Sequence, residues 1–278
     1  MSPSGLFYLS KFKHLKFIIY VFIYRKMMIL QENASIDLKN VDLVLSLGNS
    51  CRSVHHIKEH NLRLFATPLD WVGNYDLKTA FYCFETNFKN FFIECEKIGE
   101  DEEKQLISVR DKNTNMTSRH HFLLNKPLEL QIPEFNQKMQ KRYKRMQEYI
   151  LKAKKIVLVN MGKDSLEEVE NFLRKIHNFW QNDKELYFIK IIHNEKMPRD
   201  SILTKQYLID KNLHLLTYEG NDTSLDESSK YAWRGNEIIW KQALKNIQLK
   251  KQFSLKYLCQ KGLYTTLMLI NLVRKKTY

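Results

Sequence analysis

Val41-Asp42-Leu43-Val44-Leu45-Ser46-Leu47-Gly48-Asn49-Ser50-Cys51 runs from an apolar stretch into a turn of small residues and ends on a thiol. Residues 41–47 have the length and aliphatic content of a buried strand, and Gly48-Asn49 is a strong turn signal. Arg52 to His60 can continue as a short helix, with Asn49 or Ser50 as its N-cap. A thiol at a helix N-terminus meets unsatisfied N–H groups and the positive end of the dipole, both of which favour the thiolate. Cys51 is therefore the leading candidate nucleophile. The plainer alternative is a small buried residue filling a strand-to-helix corner.

Outward from this stretch the second half of the chain is regular. Lys155 to Asn160 reads as a strand, Ser165-Leu166-Glu167-Glu168 as a capping box opening a helix to Trp180, Glu185 to Ile192 as a strand and Leu213 to Tyr218 as another. Strand, helix, strand implies parallel pairing with a right-handed crossover. The expected fold is α/β, a mostly parallel sheet with helices on both faces (a Rossmann-like or flavodoxin-like sandwich), interrupted by an irregular β region at about 93–131.

The intervening segments supply the core. Pro68 biases Thr67 away from helix in Leu64-Phe65-Ala66-Thr67-Pro68-Leu69-Asp70-Trp71-Val72, and Asp70 there can orient a histidine or cap the next turn. Asp76 can open a helix whose stripe Leu77, Ala80, Phe81, Phe84, Phe88, Phe91 is core. One or two hairpins with a charged loop at 99–105 follow. Arg119-His120-His121-Phe122 opens a strand in which alternation lets only one imidazole face a site. Glu134 to Lys152 is a long helix with a basic outer face, and Tyr231 to Leu249 a closing helix.

The net charge of +14 is carried by the ends: residues 1–31 hold 5 basic residues and no acid, residues 238–278 hold 9 and no acid, and the body between is neutral. A nucleic-acid reader carries its charge on the folded surface, so that class is set aside. Both ends are also apolar. Phe17 to Tyr24 is too short to span a bilayer and Arg25-Lys26 follows it in place of a cleavage site, while Phe253 to Val273 has the spacing of a basic amphipathic helix. The chain thus divides into an extension (1–31), an α/β domain of catalytic type (32–250) and an amphipathic helix (251–278). This suits a cytoplasmic protein peripheral to an anionic membrane surface, although Met27 or Met28 is an alternative start and a helix packed on the domain an alternative for the C-terminal segment. Four cysteines without CxxC point to free thiols, and His55-His56 lie too far apart around a helix to chelate one ion, so neither a metal nor another cofactor is expected.

Ligands of parallel sheets gather past the carboxyl ends of the strands. That rim holds Asn49-Ser50-Cys51, Gly162-Lys163-Asp164, His193-Asn194 and Glu219 to Asp222. The blocks Ser46-Leu47-Gly48-Asn49-Ser50-Cys51 and Pro68-Leu69-Asp70-Trp71 resemble those of a bacterial family of papain-like cysteine peptidases, a domain of otherwise unknown function, over roughly residues 41–245. Leu69 replaces the family's usual Phe. The resemblance implies Cys51 as nucleophile, His121 as base with His120 the second choice, and Asp70 as the group that orients it. Backbone N–H groups from Ser50 to Arg52, with the Asn49 amide, would stabilise an oxyanion, and Lys163 would contact substrate.

A papain-type fold carries its cysteine on a long helix against an antiparallel sheet. The strand-turn-Cys-helix order here instead resembles α/β or flavodoxin-like esterases, in which His193 or His214 would serve as base. The expected activity is a cysteine-dependent hydrolase or acyl transferase. Two alternatives are a transferase acting on a membrane-anchored glycan or lipid intermediate, with Lys163, Arg142 and Arg145 near an anionic group, and a non-catalytic membrane-surface module.

Overall fold

A computed structural model describes residues 36–48 and 50–250. The first strand, β1 (Leu43–Ser46), pairs in parallel with β6 (Lys155–Asn160), β6 with β7 (Glu185–His193) and β7 with β9 (Leu213–Gly220); β8 (Ile202–Asp210) closes the edge antiparallel to β9. The sheet is thus mixed and mostly parallel, in the order β1-β6-β7-β9-β8. Successive parallel strands are added on one side only. The Rossmann-like and flavodoxin-like orders reverse at a switch point, and this sheet has no such reversal, so that finer expectation is not met.

Alternation along the strands sends Leu43, Leu45, Ile156 and Leu158 to one face and Val44, Val157 and Val159 to the other. The first face is covered by α2 (Leu77–Glu85), α3 (Leu128–Lys152) and α4 (Leu166–Phe179), the second by α1 (Cys51–Glu59) and α5 (Glu237–Leu244). Trp240 of α5 and Phe84 of α2 are fully buried, each burial contributing about 2–3 kcal/mol. The capping box forms as the spacing predicts, with Ser165 and Glu168 bonded reciprocally.

The region expected to be irregular is a second sheet. Strands β2 (Val72–Gly73), β3 (Cys95–Asp101), β4 (Leu106–Asp111) and β5 (Thr117–Leu123) are antiparallel in the order β2-β5-β4-β3. The closing helix is shorter than Tyr231 to Leu249: a 3-10 turn at Ala232–Arg234 precedes α5, and Gly235 between them takes a positive φ of 77°. The basic apolar segments 1–31 and 251–278 lie outside the described residues. Among the described residues no helix is long and apolar enough to cross a membrane.

Candidate active site

The nucleophile turn is built by crowding. A Cβ on Gly48 would lie 2.0 Å from Ser53 Oγ, so only glycine allows α1 to start this close to the strand end. Asn160 Nδ2 donates to Leu47 O at 2.7 Å and the Tyr75 hydroxyl to Gly48 O at 2.6 Å, which pins the turn to β6 and to the loop after β2. Ser50 is the N-cap, its Oγ accepting from Arg52 N at 3.4 Å, and Cys51 is the first residue of α1. Ser50 therefore caps the helix. Asn49, expected to contribute to an oxyanion site, lies outside the described residues.

The imidazole comes from the other sheet. Cys51 Sγ lies 3.2 Å from His120 Nε2 across a sequence separation of 69 residues. A bulge in β5 makes this possible. Ile107 pairs with Phe122 and Val109 with Ser118, so Arg119, His120 and His121 together face only Ser108. The excess residues break the alternation: Arg119 and His120 are both solvent-facing in succession, and His121 turns inward. Trp71, immediately before β2, packs edge-on against His120 with ring centroids 5.4 Å apart and takes φ +67°, a backbone state rare for a bulky residue. Val72 pairs with Ser118, which ties Trp71 to the base of the bulge.

Burial raises the Cys51 thiol above its ordinary value, opposed by the Arg119 charge and by its own backbone N–H. His120 is lowered, first by partial burial and then by Lys104 and Arg119. Both directions favour the neutral pair, in which the thiol donates to Nε2. Burial thus opposes the thiolate expected at the helix terminus.

The other expected residues lie elsewhere. His121 stacks edge-on against Phe135 of α3, its Nδ1 2.8 Å from Ser118 Oγ, on the side of β5 away from the thiol; desolvation and the Arg142 and Lys138 charges lower it to about 3. The structure does not bring this first-choice base to Cys51. Asp70 is buried and held by Thr67 N, Thr67 Oγ1 and both Nε and Nη2 of Arg63, and no hydrogen bond joins it to a histidine. His193 stands on the rim, where its Nδ1 accepts from Asp222 N at 2.9 Å. His214 stacks on Tyr187 near the amino end of β9, remote from the carboxyl-end rim. Lys163 is exposed on the rim, Arg145 is exposed on α3, and Arg142 donates to Thr67 O behind β5.

A further wall comes from the segment after β9. Arg52, next to the thiol, donates to Asp222 Oδ2 at 2.5 Å and to Trp233 O at 2.7 Å. Asp222 is fully buried and also accepts from Asn236 N and Trp240 Nε1. Sequence reasoning missed Trp71, Arg119 and this pair. In Pro68-Leu69-Asp70-Trp71 the residue at the site is the tryptophan and not the acid. A cavity of about 340 Å³ lined by Phe84, Tyr143, Trp180 and Lys184 lies at the amino ends of β6 and β7, opposite the thiol. Among the described residues no group of three or more His, Cys, Asp or Glu could hold a metal ion.

Fold and site together define an α/β protein with a thiol–imidazole pair at the carboxyl edge of its parallel sheet. The family model described as "Putative papain-like cysteine peptidase (DUF1796)" matches residues 42–196, and the chain belongs to that family. At a coarse level this supports a cysteine hydrolase. Searches of the curated proteins and of the solved structures return no match. The matched span holds both Cys51 and His120, whereas Asp222 and Trp233 lie beyond it.

Proposed function

We propose that the protein is a thiol-dependent acyl hydrolase or acyl transferase with Cys51 as nucleophile and His120 as general base. The observation that carries this reading is the 3.2 Å contact between Sγ and Nε2, made between two different sheets by a bulge that turns the imidazole toward the thiol. Starting from the neutral pair, Sγ attacks the acyl carbon while Nε2 takes the thiol proton. A C–S bond forms and the carbonyl oxygen becomes an oxyanion. Of the N–H groups of the first turn of α1, which have no intrahelical acceptor, Arg52 N is taken by Ser50 Oγ and the others are the donors available to it. Collapse breaks the bond to the leaving group, which receives the proton from His120. Water, or an acceptor nucleophile in the transferase case, then repeats the sequence on the thioester and frees Cys51.

Trp71 takes the place that a carboxylate holds in a triad, in the sense that its ring edge limits the rotation of His120. Among the described residues no carboxylate is hydrogen-bonded to His120. The test is alkylation of the intact protein with iodoacetamide at neutral pH, read at each cysteine by mass spectrometry. Cys51 is expected to react faster than Cys83 and Cys95, both raised to about 12 by burial. Its rate should fall in His120→Ala and hold in His121→Ala. Equal rates at the three cysteines would remove the nucleophile.

A further inference from the structure

The bulge in β5 aims two side chains, of which the mechanism uses one. Arg119 precedes His120, is solvent-facing like it, and has no hydrogen bond or ion pair among the described residues. Arg52 is ion-paired with Asp222, Arg63 with Asp70, Arg110 with Glu96 and Arg199 with Glu227, whereas Arg142, Arg145 and Arg234, like Arg119, have no ion pair among the described residues; of these last four only Arg119 adjoins the imidazole that contacts the thiol. The Arg119 charge acts on Cys51 and on His120 alike, which puts it within electrostatic reach of both reacting atoms.

Nearby acids do not offset it. Asp70 is held by Arg63 and Asp222 by Arg52, both out of contact with solvent, and Asp101 is paired with Lys104 at 2.6 Å. Lys163 adds an exposed positive charge on the same rim. A guanidinium left unpaired one residue from the imidazole that contacts the thiol is a fork able to bind a planar carboxylate or a tetrahedral phosphate.

Building on the acyl-transfer reading, we infer that Arg119 is a specificity residue: the substrate carries an anionic group, a carboxylate or phosphate, next to its scissile acyl bond, and Arg119 binds that group. The general base and the anion-binding residue then occupy adjacent positions of one strand, at the bulge, facing the thiol of α1.

Iodoacetate and iodoacetamide differ in charge but barely in shape, and both transfer their carbon to sulfur with loss of iodide. The rates of both are measured at Cys51 in the full chain, with Cys95 and free glutathione as references, at low and high ionic strength. The ratio of iodoacetate to iodoacetamide rates at Cys51 is expected to exceed that of glutathione by roughly three- to tenfold and to shrink in high salt. Arg119→Gln should bring the ratio to the glutathione value, and Arg119→Lys should keep part of it. Because any change in thiol acidity affects both reagents, the ratio isolates binding of the anion. Protection of Cys51 by inorganic phosphate, compared with acetate at equal ionic strength, distinguishes the two candidate groups. If iodoacetamide reacts fast and depends on His120 but the ratio matches glutathione in the parent and in Arg119→Gln, the anionic subsite is overturned and the nucleophile stands. If Cys51 reacts with neither reagent faster than Cys95, both ideas fall.

Discussion

Asp70 and Arg63 form a two-pronged contact, Nε at 3.0 Å and Nη2 at 2.5 Å from one carboxylate oxygen, while the other oxygen takes the hydroxyl of Thr67. This closes the turn that presents Trp71 and commits Asp70 to Arg63 and Thr67 in place of a histidine. Asp70→Asn should therefore cost stability, about 3 kcal/mol for breaking a buried, hydrogen-bonded pair. Urea denaturation measures it. The ratio of Cys51 to Cys95 alkylation below the unfolding transition should change far less than in His120→Ala.

The two neighbouring histidines separate stability from reactivity. His121→Ala removes a ring packed on Phe135 and should lower the unfolding free energy by about 1–3 kcal/mol, with Cys51 reactivity retained. His120→Ala removes a solvent-facing ring and should do the reverse. Paired melting and alkylation measurements on both variants would expose a swapped assignment at once.

How much of this was legible follows from what each feature depends on. The strand-turn-thiol stretch, the capping box and the parallel β6-α4-β7 unit rest on local patterns, and local patterns are written in the sequence. The choice between His120 and His121 depends on a bulge, which is a property of two strands in register and leaves no mark in Arg119-His120-His121-Phe122 alone. Edge strand β8 is largely exposed on both faces, with Ile209 its one buried residue, so Ile202–Asp210 carries no alternating apolar pattern. Burial raises the Cys51 thiol, an effect that a helix-terminus rule does not include.

Acid should loosen the fold through two histidines. His56, stacked on Trp240, is lowered to about 4, chiefly by burial, and His121 to about 3. Folded-state values below the ordinary 6.5 mean that the unfolded chain binds more protons in this window. Their contribution is complete above about pH 6.5 and is lost as pH falls toward 4 and then 3. Unfolding free energy measured from pH 7 to 4 should decline, and the slope should flatten in a His56→Phe, His121→Phe double variant. An unchanged slope would show that other groups govern acid lability.

Removing the carboxylate of Asp222 leaves Asn236 N and Trp240 Nε1 without their acceptor and Arg52 with backbone carbonyls alone. Asp222→Ala should cost about 3–5 kcal/mol if the chain still folds. In the milder Asp222→Asn, amide exchange should quicken in residues 221–236 and at the start of α1 before it does in β6 and β7. Uniform quickening would mean that the segment is not a separate wall.

The thiol belongs to one sheet and its base to another, joined through Trp71, Tyr75 and the Gly48 carbonyl. The 3.2 Å spacing is therefore a gauge of docking between two layers, and a small slide of the antiparallel layer would disarm the protein without unfolding either part.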